Sequence, residues 1–190
     1  MTVPNQLTIL RLVLTVPFVA ALSLQFPGAK FLALGLFVAS SVTDCADGYI
    51  ARKFNQISDF GKLMDPLVDK IMTMSAFVCL VSLGSIPAWA VIIILSREFL
   101  ITGLRMIAAS RGKVLPAERL GKLKMVWQIV TILYCLLLIS IAEDFGGILP
   151  QPAIAWLNTI ALSLILFTVV LTLWSGIAYF VKNRDLVSDL

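Results

Sequence analysis

Polar and apolar positions in this chain fall into long blocks rather than a short repeat. Six stretches are almost continuously apolar, at about residues 7–25, 31–50, 63–83, 87–109, 123–142 and 153–181. Each approaches the ~20 residues a helix needs to cross a bilayer core, and none shows the frequent polar positions of a soluble amphipathic helix. Turn-forming runs separate them: "QFPGAK" after the first, "GSIP" after the third and "EDFGGILPQP" after the fifth. The pattern predicts an all-α integral membrane protein, a six-transmembrane-helix bundle forming a single domain over residues 1–190. Neither an internal repeat nor a low-complexity tract interrupts it.

The opening stretch "MTVPNQLTILRLVLTVPFVAALSL" lacks a basic leader and carries Arg11 inside its apolar run. It therefore reads as a retained first helix rather than a cleavable signal. Pro4 and Asn5 precede the apolar pattern and favour a helix start, with Asn5 as N-cap. This piece is expected to run along the membrane interface before turning inward, which lets Arg11 reach the headgroup layer.

Composition agrees with the pattern. Of 190 residues, 59% are hydrophobic and 14% charged, and mean hydropathy is +0.98, too apolar for a soluble domain of this length. A net charge of +4 alone would permit nucleic acid as a partner. The positions of the cations point instead to anionic lipid and phosphate. One set of loops and the tail carry Arg52, Lys53, Lys62, Arg111, Lys113, Arg119, Lys122, Lys124, Lys182 and Arg184. The opposite set carries only Lys30, beside Glu143 and Asp144. By the positive-inside rule both termini face the cytoplasm, in a multi-pass protein of the cell (inner, cytoplasmic) membrane. Cys45, Cys79 and Cys135 lie in apolar stretches without CxxC spacing and read as small buried hydrophobes. Trp89, Trp127, Trp156 and Trp174 read as interface anchors and packing groups. Histidine is absent, which leaves carboxylates, Lys, Tyr or water for proton transfer.

Against this background "TDCADGYIARKFNQISDFGKLMDPLVDK" (43–70) stands out. Asp44 and Asp47 are at i, i+3 near the end of the second segment, and Asp65 and Asp69 at i, i+4 near the start of the third. Each spacing puts its pair on one helical face, and a cytoplasmic turn around Asn55–Phe60 would make the two helices antiparallel neighbours. Gly48 and Gly61 remove side chains where a backbone or ligand comes close. Four convergent carboxylates repel one another, and each is expensive in a span, so a positive group is expected among them. Salt bridges to Arg52, Lys53, Lys62 and Lys70 are the plain explanation for any single acid, and Asp59 is assigned to that role. For two spaced pairs, an all-oxygen donor set favours a hard cation such as Mg²⁺, Mn²⁺ or Ca²⁺ over zinc.

The string Asp44-x2-Asp47-Gly48-x2-Ala51-Arg52-x8-Gly61-x3-Asp65-x3-Asp69 resembles the complete signature of the CDP-alcohol phosphotransferase family, in every defining position and spacing. The hydrophobic layout resembles that family's six-helix bundle over essentially the whole chain. The resemblance implies two divalent ions, Mg²⁺ or alternatively Mn²⁺, held by Asp44, Asp47, Asp65 and Asp69 against the diphosphate of a CDP-linked lipid. It also implies that Asp69 is the catalytic base, which deprotonates an acceptor hydroxyl that attacks the lipid-bearing phosphorus and expels CMP. Gly48 and Arg52 resemble the positions that meet the nucleotide, with Ser58 on the same loop. Asn5 and Thr8 resemble a segment enclosing the same substrate, and helix capping explains those two equally well.

For the acceptor, "SREFLITGLRMIAASRGKVLPAERLGKLKM" (96–125) is the informative stretch. Arg105, Arg119 and Lys122 are the expected ligands of an acceptor phosphate, Arg through its planar fork and Lys as a point charge. Arg111, Lys113 and Lys124 serve either that purpose or topology alone. Arg97 and Glu98, costly within a span, either pair with each other or brace the same cavity. The strings SREFLITGLR and GKLKM resemble the branch of the family that uses CDP-diacylglycerol and sn-glycerol 3-phosphate and makes phosphatidylglycerophosphate. Pro116 and Met125 depart from the common pattern and bear on the acceptor, not the reaction. Inositol phosphate, serine or phosphatidylglycerol are the alternative acceptors under the same chemistry. The resemblance further implies a homodimer in contact with membrane lipids and no nucleic-acid partner. A cation channel or carrier would carry its acids near the midplane, often in repeated halves, and this chain shows neither feature.

Overall fold

The computed structural model describes the backbone of residues 3–24, 26–54, 59–110, 119–145 and 150–184, and the side chains of residues 9–24, 26–43, 70–110, 120–143 and 150–184. Among the described residues every regular element is helical. The order is α1 (Val3–Ser23), α2 (Ala29–Phe54), α3 (Asp59–Ser82), α4 (Ala88–Ser110), α5 (Arg119–Phe145) and α6 (Gln151–Lys182). Helix α1 packs on α2 and α3. Helix α5 packs on α2, α3 and α6, and α4 joins the bundle through α6 and α3.

The core lies in the middle of this bundle. Phe18, Phe37, Phe77, Leu80, Ile94, Ile132 and Leu136 are buried there, and the Phe18 and Phe37 rings meet at 5.9 Å between centroids. Ala33, Ala76 and Ala90 are fully covered, and their small side chains let helix backbones approach closely. Hydroxyls inside the helices satisfy themselves on backbone carbonyls one turn back: Thr15 on Arg11 at 3.0 Å, Ser140 on Leu136 at 2.8 Å and Thr172 on Thr168 at 2.7 Å. Thr131 and Thr168 bond to each other at 2.8 Å across the α5–α6 seam.

Large apolar side chains also cover much of the outward surface among the described residues. Helices α5 and α6 contain stretches, Leu120–Glu143 and Gln151–Lys182, long and apolar enough to cross a membrane, and only 33% and 39% of their most apolar windows are buried in the bundle. That separates them from core helices of a soluble protein, whose apolar face turns inward. Trp156, Val170, Trp174 and Ile177 project from α6 into the surroundings, and Trp89 does so from α4. Trp127 instead packs edge-on against Phe167 at 4.7 Å.

Helix ends follow local chemistry. Gly84, at φ 72°, ends α3 in a left-handed turn, and the amides of Gly84 and Ser85 bond back to Val81 and Leu80 at 2.9 Å. Lys30 at the start of α2 donates to the last carbonyls of the α1 segment, Leu22 at 2.7 Å and Leu24 at 3.3 Å, and stands 3.9 Å from Glu143 near the end of α5. This joins three helices at the bundle end opposite the aspartates.

The helices differ from the expected segments mainly at their polar ends. Helix α2 continues to Phe54 and α5 begins at Arg119, each about one turn beyond the apolar block. Apolar periodicity marks the greasy slab, while backbone hydrogen bonding continues past it through good helix formers. Asp59 and Phe60 belong to the first turn of α3, so the connection is shorter than the turn expected over Asn55–Phe60. Two expectations for the N-terminus are corrected. Helix α1 starts at Val3, so Asn5 lies inside the first turn rather than at the N-cap. Arg11 is buried, lining a small cavity with Phe37, Ser40 and Met72 rather than reaching a headgroup layer, because the face of α1 that carries it packs on α2 and α3.

Candidate active site

Helix α2 is continuous through residues 44–52, and α3 through residues 59–69. Asp44 and Asp47 therefore occupy helical positions one turn apart, and so do Asp65 and Asp69. Gly48 and Arg52 follow on the same helix, again a turn apart. The side chains of these six residues, and those of Asn5, Thr8, Asp59 and Arg119, lie outside the described residues, as does Ser58 altogether. Among the described residues no group of three metal-binding side chains occurs. The donor set still fits a hard divalent ion by its chemistry: carboxylates alone, in two pairs whose helical register the backbone bears out.

Lys70, the residue after Asp69, is where the described site begins. It lines a cavity of about 220 Å³ between α3, α4, α5 and α6, together with Arg97, Glu98, Arg105, Lys122 and Lys124. Five cations and one carboxylate line a space among apolar helices. Such charges are costly there unless paired or wet, and a carboxylate pairs with three of them.

Glu98 is the hub. Its carboxylate is buried and accepts from three directions: Lys70 on α3 at 3.3 Å, Lys124 on α5, and the Nη1 of Arg97 at 3.4 Å. Lys70 also donates to Thr102. Arg97 threads toward α5 and α6, where two glycines receive it. A Cβ on Gly176 would meet the Arg97 Cγ at 3.1 Å, and one on Gly121 would lie 4.0 Å from Nη2. The two readings of Arg97 and Glu98 thus hold together, since they pair with each other and also brace the cavity.

Two turns further along α4, the Arg105 Nε donates to the Tyr179 hydroxyl at 3.3 Å, and its guanidinium lies 5.5 Å from that ring's centre. Arg105 and Lys122 are both exposed at this cavity. Two of the three residues expected to bind the acceptor phosphate therefore share one space. Lys124, left open between this role and topology, lines the same space, and Lys70 was not expected there. The available signal for Lys70 was its cost, a cation at the head of the apolar run that follows Asp69. Lys124 is 4% exposed, so it is a buried member of the cluster rather than a topology charge. The arrangement can hold an anionic group against several donors beside the start of α3, where Asp65 and Asp69 stand in sequence.

Comparison with known proteins identifies the family. The profile of the CDP-alcohol phosphatidyltransferase family matches residues 1–181. A Bacillus subtilis (strain 168) protein named CDP-diacylglycerol–glycerol-3-phosphate 3-phosphatidyltransferase is 36% identical, covering 96% of this chain and 95% of its own length. A Rickettsia felis protein of the same name is 32% identical over 93% of this chain and 92% of its own.

Proposed function

This chain belongs to the CDP-alcohol phosphatidyltransferase family of transferase enzymes, and on that premise we propose that it moves the phosphatidyl group of CDP-diacylglycerol to sn-glycerol 3-phosphate, releasing CMP and phosphatidylglycerophosphate. The observation that carries the acceptor is the cavity lined by Lys70, Arg97, Arg105, Lys122 and Lys124 directly after Asp69 in the α3 register. A phosphate monoester suits such a site, because several fixed cations share its charge and Arg offers a planar pair of donors.

Asp69 receives the proton of the acceptor hydroxyl. The freed oxygen forms a bond to the lipid-bearing phosphorus, and the bond from that phosphorus to the oxygen of CMP breaks. Histidine is absent from the chain, so a carboxylate base at this position matches its chemistry. Arg52 and Gly48 meet the cytidine diphosphate portion, with Asn5, Thr8 and Ser58 beside it. Arg119 joins Arg105 and Lys122 on the acceptor phosphate. Asp44, Asp47, Asp65 and Asp69 would hold two divalent ions, Mg²⁺ or Mn²⁺. When bound, these supply positive charge against the diphosphate and the developing leaving group.

The reading includes six membrane spans, both termini in the cytoplasm, an active site open to that side, and a homodimer. The cationic loops favour this orientation. The Lys30–Glu143 end of the bundle then faces away from the cytoplasm. Purified protein in detergent, given labelled CDP-diacylglycerol, Mg²⁺ and a panel of acceptors, tests the proposal. Glycerol 3-phosphate should yield labelled phosphatidylglycerophosphate and CMP. Product from inositol phosphate but none from glycerol 3-phosphate would overturn the acceptor.

A further inference from the structure

We infer that Gln128 reads a hydroxyl of the phosphorylated acceptor and is a specificity-determining residue of the transfer proposed above, on which this inference rests. Gln128 stands on α5 one helical turn after Lys124, is 6% exposed, and lines the cationic cavity. Its side-chain amide nitrogen is buried and has no hydrogen-bond partner. Buried donors are almost always paired, and leaving one unpaired is costly. As placed, that nitrogen has almost no accessible surface, and a turn of the last side-chain torsion, which is broad, carries the donor to the cavity wall, where what the cavity binds can pair it.

The chemistry of the amide selects the part of the ligand. Phosphate charge is drawn to the lysines and arginines, which outbid a neutral amide for it. The amide is left for a neutral polar group. Met74, Ile101 and Met125 line the same cavity and have no strong hydrogen-bonding group to offer it. An alcohol hydroxyl donates and accepts, so it satisfies the amide in either orientation of the last glutamine torsion, which is broad. The acceptor class is therefore a phosphate monoester of a polyol that keeps one hydroxyl through the reaction. In glycerol 3-phosphate the terminal hydroxyl is consumed, and the middle hydroxyl remains for Gln128.

The test uses the full chain in detergent with CDP-diacylglycerol and two acceptors, glycerol 3-phosphate and 3-hydroxypropyl phosphate. The second keeps the phosphate and the reacting hydroxyl and lacks the middle one. The unsubstituted enzyme should favour glycerol 3-phosphate in kcat/KM by roughly 10- to 100-fold, since a site built to bond a hydroxyl rejects the analogue without it. Gln128→Met, similar in length and unbranched, should lose most of that ratio by losing activity on glycerol 3-phosphate alone, with the KM for CDP-diacylglycerol unchanged. Equal use of both acceptors by the unsubstituted enzyme would overturn the assignment without any variant. An equal loss on both in Gln128→Met would also overturn it, since that marks a packing role. No product from glycerol 3-phosphate in the unsubstituted enzyme would instead bring down the acceptor reading, and the Gln128 assignment with it.

Discussion

Lys70 and Glu98 bring their charged groups to 3.3 Å across the α3–α4 seam, and the same carboxylate also takes Lys124 from α5. One buried acid thus fixes the register of three helices at the residue that follows Asp69. The seam that positions the proposed base is therefore polar, while the core that holds the bundle together lies elsewhere.

That arrangement makes Glu98 a stability determinant. Removing one partner of a buried ion pair typically costs about 3–5 kcal/mol, because the remaining charge is left without compensation. Glu98→Ala should therefore lower the unfolding temperature in detergent sharply. A buried pair replaced by apolar residues of similar size is often neutral, so adding Lys124→Met to Glu98→Leu should recover the share of the loss that comes from Lys124, while Lys70 and Arg97 stay without their carboxylate. A double variant as unstable as Glu98→Leu alone would show that the Lys124 charge is not what the loss of Glu98 strands.

Asp69→Asn should leave the helices and CDP-lipid binding in place and lower turnover by roughly 10²–10⁴-fold, the usual contribution of a positioned base. The comparison to make is kcat against equilibrium binding of the CDP-lipid. Asp47→Asn should weaken Mg²⁺ binding as well, read by titration without any acceptor present. An Asp69→Asn enzyme with near-normal kcat would remove the residue from proton transfer.

The parts of this design legible in the sequence were those written as blocks or as spacing. Apolar blocks gave the six helices to within about a turn, because hydrocarbon thickness sets their length. The i, i+3 and i, i+4 aspartate pairs were visible for the same reason that helices have faces. Arg11 was misjudged, and Lys124 left open, because both are cations near segment ends, where a headgroup or topology role is the ordinary one. Their burial depends on which helix stands opposite, and that is tertiary information. Gln128 gave no signal at all: an uncharged amide in an apolar helix gains meaning only when its partner is found missing.

Gly176 receives Arg97 so closely that an added methyl group must displace it. The Cβ of Gly176→Ala would stand 3.1 Å from the Arg97 Cγ, whereas at Gly103 on α4 a Cβ would meet nothing within 4 Å. Replacing a helix-interior glycine by alanine gains up to about 1 kcal/mol of helix propensity. Gly103→Ala should show that gain as a raised unfolding temperature. Gly176→Ala should lose it again to crowding, typically about 1–3 kcal/mol, and should also raise the KM for the acceptor by moving Arg97. Equal stabilisation in both variants would mean that Arg97 moves aside freely.

Lys122 and Lys30 stand in opposite roles. Lys122 is exposed at the cationic cavity, so Lys122→Ala should leave stability nearly unchanged. Its loss removes one charge-assisted contact to the acceptor phosphate, which predicts a rise of about tenfold in the acceptor KM with little change in that for CDP-diacylglycerol. Lys30 is 6% exposed and holds the carbonyls of Leu22 and Leu24 at the other end of the bundle. Lys30→Met leaves those carbonyls without their donor and should cost about 1–3 kcal/mol of stability while sparing both KM values. Steady-state kinetics and thermal unfolding on the same two preparations separate the cases. A Lys122→Ala enzyme whose two KM values rise together would place Lys122 outside the acceptor site.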